Sequence, residues 1–180
     1  HAARELCEQQ YGEAGRAWHQ AQRQVPTAPE NAREITEGLT RSLLDKMMVD
    51  REMCVRVLSD VGGDRISGHA LNVTVIALLM GRVFGFSDDE MLDLGMGALL
   101  HDVGKLDLPA PLRHRDEHFS PTELKKYQDH VALGVAQARR VGVARELGLG
   151  VRHPRLSRLE RPGELGVVLG VVAGRVGGEG

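Results

Sequence analysis

Aromatic residues are scarce in this chain: one Trp, two Tyr and three Phe in 180 residues. A core must therefore be built mainly from Leu, Val, Ala and Met. Cysteine is equally sparse. Cys7 and Cys54 are too few and too far apart for a disulfide framework, so a reducing cytoplasm is the expected compartment. An excess of one charge sign is missing too. The net charge of -2 gives no electrostatic case for a nucleic-acid binder. No apolar run reaches membrane-spanning length, and the best stretch, 71–80, is short and holds Asn72 and Thr74. A secretory signal is also lacking. The start at His1 rather than at methionine points to a fragment whose true N-terminus lies upstream. Against these absences stands a hydrophobic content of 42%, enough for a buried core and too much for a disordered chain.

The apolar spacing predicts helices throughout, with no strand pair, hairpin or internal repeat. Residues 1 to about 24 read as a charged, Gln-rich surface helix with weak apolar spacing, broken by Pro26 and Pro29. Thr27 and Glu30 offer a capping box for a second helix carrying Ile35, Leu39, Leu43, Leu44, Met47 and Met48, which Val55 to Leu58 could extend. Val61-Gly62-Gly63-Asp64 would end it. A third helix, about 66–83, is apolar nearly all round and so belongs in the interior. Ser87 with Glu90, and Ser120 with Glu123 behind Pro121, are further capping boxes. The predicted organisation is an N-terminal helical arm or linker over 1–60 and an all-α domain over 61–180. After Arg139 the composition narrows abruptly to Arg, Val, Gly, Ala, Leu, Glu, Pro, one Ser and one His. That predicts a less ordered end, because glycine loses the most freedom on folding.

The chemistry concentrates in Leu99-Leu100-His101-Asp102-Val103-Gly104-Lys105, with His69 before it and His130 after it. Imidazole and carboxylate are ligands for divalent transition metals. A hydrolytic metal must hold a water, lower its pKa and face the phosphorus. On an ideal helix, adjacent residues point about 100° apart. His101 and Asp102 can therefore share a metal only where the backbone leaves the helix, a place suited to Gly104. Lys105 can stabilise the negative charge that grows on a phosphate. His1, His19, His114 and His118 read instead as surface residues. A bare His-Asp pair is common by chance; the whole seven-residue stretch, with His69 and His130 on apolar helices, is far more specific.

That stretch resembles the signature of the HD superfamily of metal-dependent phosphohydrolases. The spacing to His69, and Ser120-Pro121-Thr122-Glu123 followed by Tyr127-Gln128-Asp129-His130 and Gly134, resemble its HD-GYP branch, over about residues 40–150. The resemblance implies an all-α HD-domain helical bundle, bacterial and cytoplasmic-facing. It implies signalling by hydrolysis of cyclic di-GMP to pGpG or GMP with iron or manganese. It makes His69, His101, Asp102, His130 and His153 metal ligands and Lys105 the phosphate contact.

This chain departs from the branch pattern further on. Arg152 and Pro154 flank His153 where the branch has a His-His-Glu, and Glu160-Arg161-Pro162 stands where Gly-Tyr-Pro belongs. Arg65 occupies the place where three-metal members carry a glutamate. A later aspartate ligand would fall just past Gly180. These departures predict an impaired site. They keep three other readings open: a non-catalytic module binding cyclic di-GMP or a protein partner, an inactive fragment, and a general nucleotide phosphohydrolase.

Overall fold

Apolar residues recurring every three to four positions give a chain of helices. The computed structural model describes residues 2–49, 65–114 and 118–143. Its elements are α1 (Ala2–Gln24), α2 (Pro29–Val49), α3 (Arg65–Val83), α4 (Asp88–Leu100), 3-10 turns at Val103–Asp107 and Ala110–Leu112, α5 (Pro121–Gln128) and α6 (His130–Val141). Among the described residues there is no strand, so the fold is all-α as expected. No helix among them is long and apolar enough to cross a membrane. Residues 50–64, and 144–180 with Arg152, His153 and Pro154, lie outside the described residues. So do the expected extension over Val55 to Leu58 and the glycine stop at 61–64.

One cluster ties most of the molecule together. It joins Trp18 and Ala21 of α1 and Val25 just past its end to Ala32 and Leu39 of α2, Leu71 of α3, Leu99 and Leu100 of α4, and Val141 and Val143 at the end of α6. Trp18, the only tryptophan, is 1% exposed. Burying such a ring removes about 150–250 Å² from water. At about 25 cal/mol/Å² the gross gain is about 4–6 kcal/mol. The first helix, with its weak apolar spacing, therefore packs firmly against the others. The compositional break at Arg139 falls inside α6. Order continues past it because Val141 and Val143 are core residues and Gly142 closes the helix at φ 85°.

The buried threonines of these helices are satisfied locally. Thr36, Thr40 and Thr74 are fully buried, and each hydroxyl donates to the carbonyl one turn back, on Ala32, Thr36 and Ala70. Thr74 in the middle of α3 thus carries no unpaired donor. The boxes at Ser87/Glu90 and Ser120/Glu123 form with both reciprocal bonds. The Thr27 box does not start α2. Ala28 supplies the first helical carbonyl, to Ala32 N–H, while the Thr27 and Ala28 amides still close the last turn of α1 on Gln24. Thr27 is held in that turn, one residue too early to cap.

Gly95 of α4 lies against Thr40 of α2. A Cβ there would land on the Thr40 methyl and come within 3.1 Å of Leu78 Cδ2. Thr40 cannot swing away without losing its bond to Thr36. Gly95→Ala is therefore expected to destabilise by about 1–3 kcal/mol from overpacking, despite a helix-propensity gain of up to about 1 kcal/mol. Urea unfolding measures it; an equal or higher stability would show that α2 and α4 separate freely.

Candidate metal centre

Helices α3 and α4 run back over one another through the Phe84–Phe86 turn, so the start of α3 and the end of α4 lie at one end of the bundle. His69 stands near that start, and His101 caps α4 in helical geometry. Asp102 then leaves the helix at φ -107°, ψ 6°, and the chain tightens into the 3-10 turn at 103–107. The unwinding needed for His101 and Asp102 to converge therefore sits at Asp102 itself and not at Gly104. Gly104 serves close approach instead: it abuts the backbone of α6 at His130 and Gly134. That contact brings His130 to the cluster.

The side chains meet at the Asp102 carboxylate. Oδ2 lies 2.6 Å from Lys105 Nζ, 3.3 Å from His101 Nε2 and 3.7 Å from His69 Nε2. Oδ1 lies 3.6 Å from His130 Nε2. Ligand atoms from His69, His101 and Asp102 all fall within 4.8 Å of one another. His101 and His130 are almost fully buried, Asp102 and Lys105 mostly so, and His69 is exposed.

Two rings are held in a defined tautomer. His101 Nδ1 lies 2.7 Å from Ala98 O, and His130 Nδ1 contacts Tyr127 O. A carbonyl only accepts, so Nδ1 carries the hydrogen in both. Each Nε2 then meets Asp102 as an imidazolium N–H or as a bare lone pair. A divalent cation suits the second arrangement. Metal-bound histidines commonly give their other N–H to a backbone carbonyl. Ligand atoms about 2.0–2.2 Å from one metal stand about 3–4 Å from each other, the spacing that His69 Nε2 and His101 Nε2 each keep from Asp102 Oδ2. The donor set fits a divalent metal on His69, His101 and Asp102, with His130 on the second carboxylate oxygen.

The charges are arranged to match. Burial alone would raise the Asp102 carboxyl. The His101 bond and charge, followed by those of Lys105, outweigh it and hold the group far below the usual carboxylate range. Burial alone would lower Lys105, but its bond to Asp102 and that carboxylate's charge, then Tyr127, hold it above the ordinary lysine value. His69 is lowered, first by the burial of the inner part of its ring and then by the charge of His101, with Asp102 opposing. A lowered His69 is the neutral form a metal takes.

The structure thus brings His69, His101, His130 and Lys105 together around Asp102. Of the expected ligands, only His153 lies outside the described residues. His19, His114 and His118 are exposed. Sequence reading places Tyr127 in the run that carries the branch resemblance but gives it no role at the site. Its ring packs 4.7 Å from the His130 ring, and Lys105 Nζ lies 5.4 Å from its centre. The Phe119 ring packs against the Tyr127 ring as well, 5.9 Å away between centroids. Tyr127 lies three residues before His130, a spacing that puts two side chains on one helical face and could have pointed to it.

Residues 66–163 match the family described as HD domain, a span that includes every residue of this cluster. No curated protein and no solved structure matches the chain.

Proposed function

The chain belongs to the HD-domain family, and we propose that it is a metal-dependent phosphohydrolase of HD-GYP type whose substrate class is cyclic di-GMP or a related nucleotide. The observation that carries the reading is one buried carboxylate, Asp102, faced by three imidazoles and a lysine. His69, His101, Asp102 and His130 would hold the metal, with His153 as a further ligand from the undescribed part. A bound iron or manganese would supply Lewis-acid charge and an activated water. Asp102 divides its oxygens, Oδ2 toward His69 and His101 and Oδ1 toward His130. Their backbone carbonyls keep the His101 and His130 rings from turning away. Lys105 stays protonated beside Asp102 and is placed to donate to a phosphate oxygen of the substrate. The reaction adds water across one P–O ester bond, leaving a phosphate monoester and a free hydroxyl. A cytoplasmic location belongs to the same proposal.

A second reading, a module that binds cyclic di-GMP or a protein without turnover, is favoured by Arg152 and Pro154, which replace two groups the branch uses at its metals. A missing ligand weakens metal affinity steeply. We therefore expect at most about one tightly held metal per chain and only very slow conversion of cyclic di-GMP. Elemental analysis, and chromatography of the nucleotide after incubation with manganese or iron, decide it. Robust turnover that disappears in Asp102→Asn would show that 152–162 costs the site little. Binding without product would favour the regulatory reading.

A further inference from the structure

His69 is the ligand of this cluster whose ring is not tied down. The His101 and His130 rings are each fixed by an Nδ1 contact to a backbone carbonyl. The His69 side chain is 57% exposed, and among the described residues no hydrogen bond to the backbone holds its ring. Its neighbours are the Asp102 oxygen at 3.7 Å and the His101 ring, 5.3 Å away between centroids. The place of this ring is therefore set by its backbone, in the first turns of α3.

Those turns are gripped from α1. The Tyr11 hydroxyl lies 3.1 Å from Gly68 O and 3.3 Å from Asn72 Oδ1, and its single proton is shared between them. Gly68 precedes His69 and Asn72 lies three residues beyond, so the two contacts straddle the ligand. A Cβ on Gly68 would come within 3.1 Å of the hydroxyl, so the approach is close. The Tyr11 ring itself packs against the apolar core on one side. It lines a cleft of about 290 Å³ between α1 and α2, together with Ala14, Gly38, Leu43 and Leu71. A Cβ on Gly38 would meet nothing within 4 Å, which shows how open the cleft is. The hydroxyl contacts thus add a directional polar tie between α1 and the His69 turn to the apolar packing of α1 on Ala70 and Leu71.

We infer that Tyr11 is a positioning residue for the metal ligand His69, through which helix α1, outside the residues that match the family, sets metal affinity. The inference rests on the reading of the cluster as a metal centre. The 180-residue chain is titrated with Mn²⁺ by calorimetry as wild type, Tyr11→Phe, Asn72→Ala and Asp102→Ala. Melting curves and histidine ring NMR spectra are recorded on the same proteins without metal. Tyr11→Phe keeps the ring and loses only the hydroxyl. It is expected to weaken Mn²⁺ binding about 10-fold and to shift the His69 ring resonances while those of His101 and His130 stay. Asn72→Ala leaves the α1 packing alone and is expected to move the same resonances with a smaller loss of affinity. Wild-type affinity with unmoved His69 resonances in Tyr11→Phe, accompanied only by a lower melting temperature, would overturn the proposal. A wild-type chain that binds no Mn²⁺ would overturn the metal reading and the proposal with it.

Discussion

Asp102→Ala is expected to abolish tight metal binding, with Mn²⁺ affinity falling by more than about 100-fold. Every ion-pair contact in the cluster ends on this one side chain. Oδ2 faces His69, His101 and Lys105, and Oδ1 faces His130. Alanine removes the negative charge and the convergence together, leaving three imidazoles with no common partner. His114→Ala, at an exposed position, is expected to bind as wild type. Calorimetric titration and elemental analysis test both; one stoichiometric metal retained in Asp102→Ala would overturn the assignment.

The same residue gives a pH test. The folded carboxyl titrates far below its unfolded value, so the stabilisation it contributes is full above the ordinary carboxylate range. It is lost only as the pH falls through the depressed folded value. Metal-free Asp102→Asn should therefore be less stable than wild type at neutral pH. Lys105 is left without its anion, a loss of about 1–3 kcal/mol for a charge-assisted bond. The gap should close in strong acid, and a gap independent of pH would mean that Asp102 and Lys105 do not form the pair seen here.

What could be read from the sequence follows the range of the interactions. The Ser87/Glu90 and Ser120/Glu123 boxes are exchanges between residues three apart, so composition and spacing fix them. The interior character of α3 is written in its apolar circumference. The imidazole and carboxylate types at 69, 101, 102 and 130 state their own chemistry, whatever the fold. Contacts across the chain were not legible. Trp18 joins a core with residues more than fifty positions away, and Tyr11 reaches Gly68 and Asn72 across 57 and 61 residues. Nothing local distinguishes that tyrosine from any other half-buried one. Gly104 marks the general case. Its presence beside the site was visible, but flexibility was the natural reason to assign. The structure gives another reason, the backbone of a helix from a distant part of the chain.

Gly104→Ala is therefore expected to damage both the fold and the metal centre. Gly104 is not among the glycines of positive φ in the described residues, so alanine suits its backbone and only space opposes it. A Cβ there would land on the His130 carbonyl and the Gly134 amide, and within 2.8 Å of Gly134 Cα. These are main-chain atoms of α6 and cannot rotate aside. The helix cannot yield easily either: Gln137 Nε2 donates to Asp107 Oδ2 at 2.7 Å, and Val141 and Val143 anchor its far end in the core. Relief requires the 3-10 turn at 103–107 and α6 to part, which carries His130 away from Asp102. The expected cost is about 1–3 kcal/mol of stability, with Mn²⁺ affinity reduced by more than about 10-fold. Gly134→Ala is the counterpart on the other wall. Its Cβ would lie 3.4 Å from Gly104 N and 3.7 Å from His101 O, ordinary contact distances. Alanine there also favours the interior of α6 by up to about 1 kcal/mol. The two substitutions should thus differ in sign, Gly104→Ala destabilising and Gly134→Ala neutral or stabilising. Denaturant unfolding and Mn²⁺ titration of the pair read this directly. A Gly104→Ala protein with wild-type stability and affinity would mean that the turn and α6 are not in backbone contact, and that His130 reaches the cluster by some other route.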